Sequence, residues 1–257
     1  MALSTFSSFY YGQVVDVRNN ILNFNEGFGE EAAEIQINSY TPTDIAIATQ
    51  TALNVIGSLT YNVTFNRSDK TFTISADGPF DLLISSGSQF GVSIFPTLGF
   101  TGPDLIGQTS YTGNLPGPSE YIPQFILQDY KNKDMLKNRV AASINEAASG
   151  EIEVVSFGLR KFVEFSIKFI TNKEILSHNF IINKTGFEDA VNFLTYLISK
   201  GQFEFMPDKE DPDNYNKLIV ESLDSNTEGV GYQLKELVEI GLPDFYEINN
   251  IRCRVIE

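Results

Sequence analysis

Leu59-Thr60-Tyr61-Asn62-Val63-Thr64-Phe65, the turn Arg67-Ser68-Asp69-Lys70, and Thr71-Phe72-Thr73-Ile74-Ser75 decide the fold. Leu59, Tyr61, Val63 and Phe65 alternate with polar residues, and Phe72 and Ile74 do the same. Side chains of a strand project alternately to its two faces, so this period of two describes two half-buried strands joined as an antiparallel hairpin. Upstream, Thr41-Pro42-Thr43-Asp44 reads as a helix start, with Thr as N-cap, Pro at the first helical position and an acid in the first turn. Ile45, Ala48, Ala52, Leu53 and Ile56 then share one face, and Gly57 stands where a left-handed C-terminal residue belongs. Downstream, a third strand is expected at 80–84, before an apolar stretch at 93–102 broken by Gly and Pro. Two short strands are expected before the helix, at 13–17 and 33–38, on either side of a Gly/Glu-rich loop at 25–31.

Residues 101–123 show no periodicity and contain Gly113-Asn114-Leu115-Pro116-Gly117-Pro118, the composition of a linker, which puts a domain boundary near 115–120. Beyond it the expectation is a strand at 124–128, a polar helix at 131–148 and a hairpin of 152–157 with 162–170. In the second arm Val163, Phe165, Ile167 and Phe169 face in while Glu164, Ser166 and Lys168 face out. A strand follows at 179–182. Thr185-Gly186-Phe187-Glu188 matches a capping box, and Phe187, Ala190, Val191, Leu194, Leu197 and Ile198 give its helix an apolar face ending at Gly201. Further strands are expected at 202–206, 218–222, 230–238 and 251–256. The fold class that emerges is α+β and β-dominated, with two antiparallel sheet or sandwich-like domains. The first, 1–115, is an N-terminal arm with a helix-plus-sheet body, and the second, 120–257, carries two helices.

A chain of 257 residues exceeds the single-domain mode of roughly 100–150, which agrees with two modest cores. Its 33 acidic against 18 basic residues, a net charge of −15, oppose approach to a phosphate backbone, so sequence-specific nucleic-acid recognition is not expected. A single cysteine excludes an intramolecular disulfide and suits a reducing cytoplasm. No secretion signal or membrane anchor is visible, and the three Asn-x-Ser/Thr matches at Asn62, Asn66 and Asn183 carry no weight without one.

Catalytic candidates are few. His178, the sole histidine, has no acid or nucleophile at a triad-like spacing and reads as an ordinary loop residue. Cys253 alternates with Ile251 and Val255 on an apolar strand face, the pattern of a packed thiol. Asp208-Lys209-Glu210-Asp211-Pro212-Asp213 lacks the central Gly and closing Glu of a helical calcium loop and reads as a solvated turn. The glycines at 99–107 and 113–117 fit neither a dinucleotide fingerprint nor a phosphate loop. No cofactor, metal or enzymatic activity is expected. Aromatic residues point instead to contact surfaces. Phe6, Phe9, Tyr10 and Tyr11 crowd the N-terminal arm, and with Phe28 and Phe100 they are the expected interface with a neighbouring subunit. The alternative for the arm is a strand closing its own sheet.

Thr41-Pro42-Thr43-Asp44, Ala52-Leu53-Asn54, the 59–65 strand, Lys70-Thr71-Phe72-Thr73-Ile74 and Leu98-Gly99-Phe100 together resemble a helix-plus-hairpin module of virion proteins from tailed bacteriophages and other large DNA viruses. Arg160-Lys161-Phe162, Ile167-Lys168-Phe169-Ile170 and Phe203-Glu204-Phe205-Met206-Pro207-Asp208 look like phage tail and baseplate components. The resemblance covers residues 40–102 and, more loosely, 120–257. It implies a non-enzymatic structural component of the tail, neck or baseplate, assembled in the host cytoplasm from copies of itself, as a ring, and from adjoining virion proteins. An acidic protomer repeated around a ring would make a lumen to which passing DNA does not stick. A receptor- or carbohydrate-binding β-sandwich of an adhesion device is the alternative, and a carboxylate-pair hydrolase ranks last.

Overall fold

A computed structural model describes residues 8–123, 125–127, 136–146, 152–171, 175–177, 180–182, 186–199, 201–208, 211, 213–223, 232 and 234–256. The fold is α+β and dominated by antiparallel strands. The chain divides into two compact units: Ser8–Glu120 with Gln202–Tyr215, and Tyr121–Gly201 with Asn216–Glu257.

The first unit runs β1 (Ser8–Tyr11), β2 (Gln13–Val15), β3 (Ile21–Asn25), β4 (Glu30–Glu34), β5 (Asn38–Tyr40), α1 (Pro42–Ile56), β6 (Tyr61–Asn66), β7 (Thr71–Leu82) and β8 (Leu105–Thr112). Its main sheet has the order β4-β3-β7-β6, with β8 also on β7, and the β6–β7 hairpin pairs Tyr61 with Ala76 and Phe65 with Phe72. α1 packs against β6 and β4, the two ends of that order, and so covers the sheet from one edge to the other. Between them lie Leu22, Phe24, Phe72, Ile74, Phe80 and Leu82, with Ile45 and Leu53 from the helix. Edge-to-face ring contacts run Phe24–Tyr61–Phe80–Tyr111 at centroid distances of 5.7, 5.2 and 5.1 Å. That is the geometry the aromatic quadrupole favours.

The rest of the chain is β9 (Glu120–Tyr121), β10 (Phe125–Leu127), β11 (Leu136–Glu146), β12 (Ile152–Ile170), β13 (Ile175–Ser177), β14 (Phe180–Ile182), α2 (Gly186–Ile198), β15 (Phe203–Met206), β16 (Asn216–Leu223), β17 (Lys235–Leu237) and β18 (Leu242–Val255). In the second unit β12 pairs with β10, β11 and β18, while β18 also pairs with β16 and β17. α2 lies against β12 and β16, burying Ala190, Phe193, Leu194 and Leu197. Cys253 is buried beside Ile251, and burial pushes its thiol pKa up, which keeps it a packed, unreactive group.

Several expected elements take another form. The polar helix of 131–148 is replaced, in its described part, by strand β11. Leu136, Val140 and Ile144 recur every fourth residue, a spacing that suits a helix and one face of a strand alike, and ten register pairs with β12 decide for the strand. Residues 152–170 are one long strand and no hairpin, because β12 pairs with β11 on both sides of Gly158, Ser156 opposite Ala142 and Leu159 opposite Val140. Phe169 does not point into the main core. It has φ 57° at an irregularity in the β12–β18 ladder, which hands the buried place to Ile170, and it packs with Leu237, Leu242 and Phe245. The strand expected at 80–84 is the distal half of β7, and part of the linker, 105–112, is strand β8. β15, expected in the second domain, pairs with β1 in the first unit, Phe9 opposite Phe205. Thr185 of the expected capping box lies outside the described residues.

Gly57 is extended, at φ −71° and ψ 158°, and its role differs from the left-handed cap expected of it. A Cβ there would lie 2.5 Å from Glu26 Oε1 and 2.8 Å from the Tyr61 ring, so glycine is required for close approach. Glu26 fills that space. Its carboxylate accepts from the Ser58 hydroxyl and N–H, the Leu59 N–H at 3.2 Å and the Tyr61 hydroxyl at 2.9 Å. Burial works to raise the Glu26 pKa, but the hydrogen bonds from Ser58, Leu59 and Tyr61 outweigh it and hold the carboxyl below its ordinary 4.5. A depressed folded-state pKa gives stability that is present above the unfolded value and lost as pH falls through the folded one. Glu26→Gln is therefore expected to flatten the decline in melting temperature below about pH 4.5 while lowering it at neutral pH, which calorimetry across pH 3–7 would read.

Candidate interaction surface

Helix α1, PTDIAIATQTALNVI, contains one charged residue, Asp44. It buries Ile45, Ala46, Thr49, Ala52 and Leu53 against the sheet. On the opposite side Ile47, Thr51 and Val55 recur every fourth residue and so line up along the axis. Ile47 is 56% exposed and Val55 74%. A surface helix of a self-sufficient domain carries charge on its outer face, whereas one that is apolar all round is buried. Among the described residues nothing covers the outer stripe of α1.

Beside the stripe runs a groove of about 640 Å³, with Ile47, Thr51 and Val55 on one wall and Ala32, Glu34 and Gln36 on the other. The second wall belongs to β4 and its continuation; β4 is the end strand of the sheet order, paired only with β3 among the described residues. Asp44 stands at the helix start and also lines the groove. No Lys or Arg does.

The groove is positioned by a buried ion pair. Thr41 caps α1 through its hydroxyl oxygen, which accepts from the Asp44 N–H at 3.2 Å. The next orphan donor, the Thr43 N–H, is taken at 2.8 Å by Oε1 of Glu204, a residue 161 positions away on β15. Glu204 is fully buried. Its Oε2 receives Nε and an Nη of Arg67 at 3.1 and 2.9 Å, and the same guanidinium lies 3.5 Å over the Tyr215 ring. The Tyr10 hydroxyl donates to the Arg67 carbonyl at 2.6 Å. Burial first, and then the Glu120 carboxylate, push the Tyr10 phenol well above its ordinary pKa, so it remains a donor.

Charge is distributed unevenly. The first unit holds sixteen acidic and four basic residues, a net −12, against seventeen and fourteen, −3, in the second. Three of those four bases are already paired: Arg18 with Asp16 at 2.6 Å, Arg67 with Glu204 at 2.9 Å and Lys70 with Glu120 at 2.9 Å. The first unit is thus the acidic one of the two by charge count.

The aromatic residues expected at an interface are largely elsewhere. Phe9 and Tyr10 are buried in the first unit, where the Phe9 ring stacks on Phe205 at 4.8 Å and Tyr10 meets Phe65 edge-on at 5.8 Å. Ser8–Tyr11 is thus a strand of its own unit and no arm reaching for a neighbour. Tyr11 is half-buried. Phe100 is buried with Phe95 and Leu98. The strand Ser8–Tyr11 is too apolar to stay in water, and the returning β15 pairs with it where a partner was expected, while Phe100 is covered by the core of the first unit. Among the described residues of this set Phe28 keeps the expected character, 94% exposed in the Gly27–Gly29 turn. Phe6 and His178 lie outside the described residues, as do Lys209, Glu210 and Pro212 of the acidic turn. Among the described residues no group of three or more His, Cys, Asp or Glu could hold a metal. The helical periodicity of α1 marks one apolar face, Ile45, Ala48, Ala52, Leu53 and Ile56, and leaves out the Ile47–Thr51–Val55 stripe. The signal was there, in a fifteen-residue helix with a single charge.

No protein-family model matches the chain, and a search of curated proteins finds no match.

Proposed function

We propose that the chain is a non-enzymatic structural component of a tailed-phage virion, in the tail, neck or baseplate, and that it works by assembling with its own copies and with adjoining virion proteins. The observation that carries this reading is the outer stripe of α1, with Ile47 and Val55 exposed on either side of Thr51 beside an open groove, on a fifteen-residue helix with a single charged residue. The likeness of residues 40–102 to virion modules, which includes this helix, supplies the setting. The charge asymmetry supports it. A first unit of net −12 turned inward in a ring would repel exiting DNA along its wall, and a chain with unlike halves suits the head-to-tail contacts that close a ring.

The test is quantitative mass spectrometry of gradient-purified particles made by the virus that encodes the chain. Several copies per particle, resistant to salt washing, are expected. A chain present in infected cells and missing from particles contradicts the reading.

A further inference from the structure

We propose that the strand pair β11–β12 of one copy docks along the α1 groove of the next, so that each protomer lends an arm to one neighbour and receives an arm from another. The proposal rests on the assembly reading above and names the two surfaces that meet.

The arm follows from the register of the second unit. β18 makes its last pair with β12 at Phe162, opposite Arg254, whereas β11 pairs with β12 from Val163 back to Ile152. Among the described residues, 152–161 therefore pair on one edge only, and β11 pairs with β12 alone. The result is a two-stranded ribbon about 30 Å long at 3.3 Å per residue, with both outer edges open. A ribbon of two strands is marginal in water and needs a surface against one face. The register shows which face. Val140 stands opposite Leu159 and Ile144 opposite Val154, and Val140, Ala142 and Ile144 alternate, so one face collects apolar positions along the ribbon. At its root Arg139 lies directly opposite Arg160, and Lys137 and Arg254 both lie opposite Phe162; the acids Glu146 and Glu153 stand at the far end. Like charges in register weaken a strand pair, and an anionic surface against them offsets that.

The first unit of a second copy supplies such a surface. It carries sixteen acidic and four basic residues, against seventeen and fourteen in the unit that bears the arm. Its helix α1 spans about 22 Å at 1.5 Å per residue, a length the ribbon can follow, and offers exposed Ile47 and Val55 to the apolar face. Donor and acceptor belong to different units, so copies joined this way meet by unlike surfaces, the head-to-tail contact that closes a ring.

The experiment co-expresses two differently tagged full-length chains, each with one added cysteine, Val55→Cys in α1 and Ile144→Cys in β11, and joins them with a short bis-maleimide. Cys253 is fully buried and stays out of the reaction, which the wild type controls. The pair is expected to give at least about tenfold more covalent dimer than either variant alone, the mark of a high local concentration. Ile106→Cys, 68% exposed on β8 and outside the groove, should give only background with Ile144→Cys. A second measurement leaves the arm untouched: in sedimentation velocity, Ile47→Ser/Val55→Ser should weaken self-association about tenfold, and Arg139→Glu/Arg160→Glu should do the same from the other side. Val55→Cys chains that join each other as readily as they join Ile144→Cys would pair two helices and overturn the proposal. A linked monomer from the doubly substituted Val55→Cys/Ile144→Cys chain, with no product from the co-expressed pair, would mean that the arm covers its own chain and would overturn it too. A monomeric wild type, or self-association that Ile47→Ser/Val55→Ser keeps in full, has the same consequence. The assembly reading fails separately, through absence of the chain from particles.

Discussion

Glu204→Ala is expected to lower the stability of the first unit by about 3–5 kcal/mol, the cost of breaking a buried ion pair by removing one partner. The alanine strands Arg67, whose side chain is only 11% exposed, without its counter-ion. It also leaves the Thr43 N–H at the start of α1 without its acceptor. Apolar replacement of both partners, Arg67→Met/Glu204→Met, removes the stranded charge and should recover most of the loss. Differential scanning calorimetry of the full chain reads both changes. A single variant within about 1 kcal/mol of wild type would mean that the pair is not a support of the unit.

Gly99→Ala is expected to be nearly as damaging, at about 3 kcal/mol or more. Gly99 has φ 77°, in the left-handed region that a non-glycine residue enters only at a cost. A Cβ would also fall 2.1 Å from the carbonyl oxygen of Leu115, a backbone atom that cannot rotate away. The Leu115 N–H in turn donates to the Gly99 carbonyl at 3.0 Å, so pushing the two loop segments apart breaks a hydrogen bond as well. Leu98 and Phe100, on either side, are both in the core. Gly102→Ala is the control. Gly102 shares the positive φ, 108°, but has nothing within 4 Å of its Cβ position, and its loss should be confined to backbone strain of about 1 kcal/mol. A Gly99 loss no greater than the Gly102 loss would remove the close approach from the account.

Local pattern made the hairpin of β6 and β7 and the start of α1 legible, because strict alternation and the Thr-Pro-x-Asp cap are decided within a few residues. β11 was not legible in the same way. Its apolar residues at four-residue spacing satisfy both periods, and the choice is made by a partner strand. The continuity of β12 through Gly158 is another such case, since nothing near the glycine states that β11 lies alongside. The support of the groove was hidden for a different reason. Glu204 and Arg67 stand 137 residues apart, and a buried carboxylate in Phe-Glu-Phe looks like a solvent-facing one until its strand has a neighbour on each face. The N-terminal aromatics failed by the same omission. Phe9 and Tyr10 required cover, as their composition said, and the cover came from β15 of the same chain. What composition did hold, unread, was the shortage of charge on α1.

Hydroxyl-radical footprinting of α1, in the free chain and in native particles, bears most directly on whether this chain works through a covered helix face. Ile47 and Val55 should be oxidised readily in the free chain, where they are exposed, and strongly protected in the particle. Equal oxidation of both residues in the two states would contradict it.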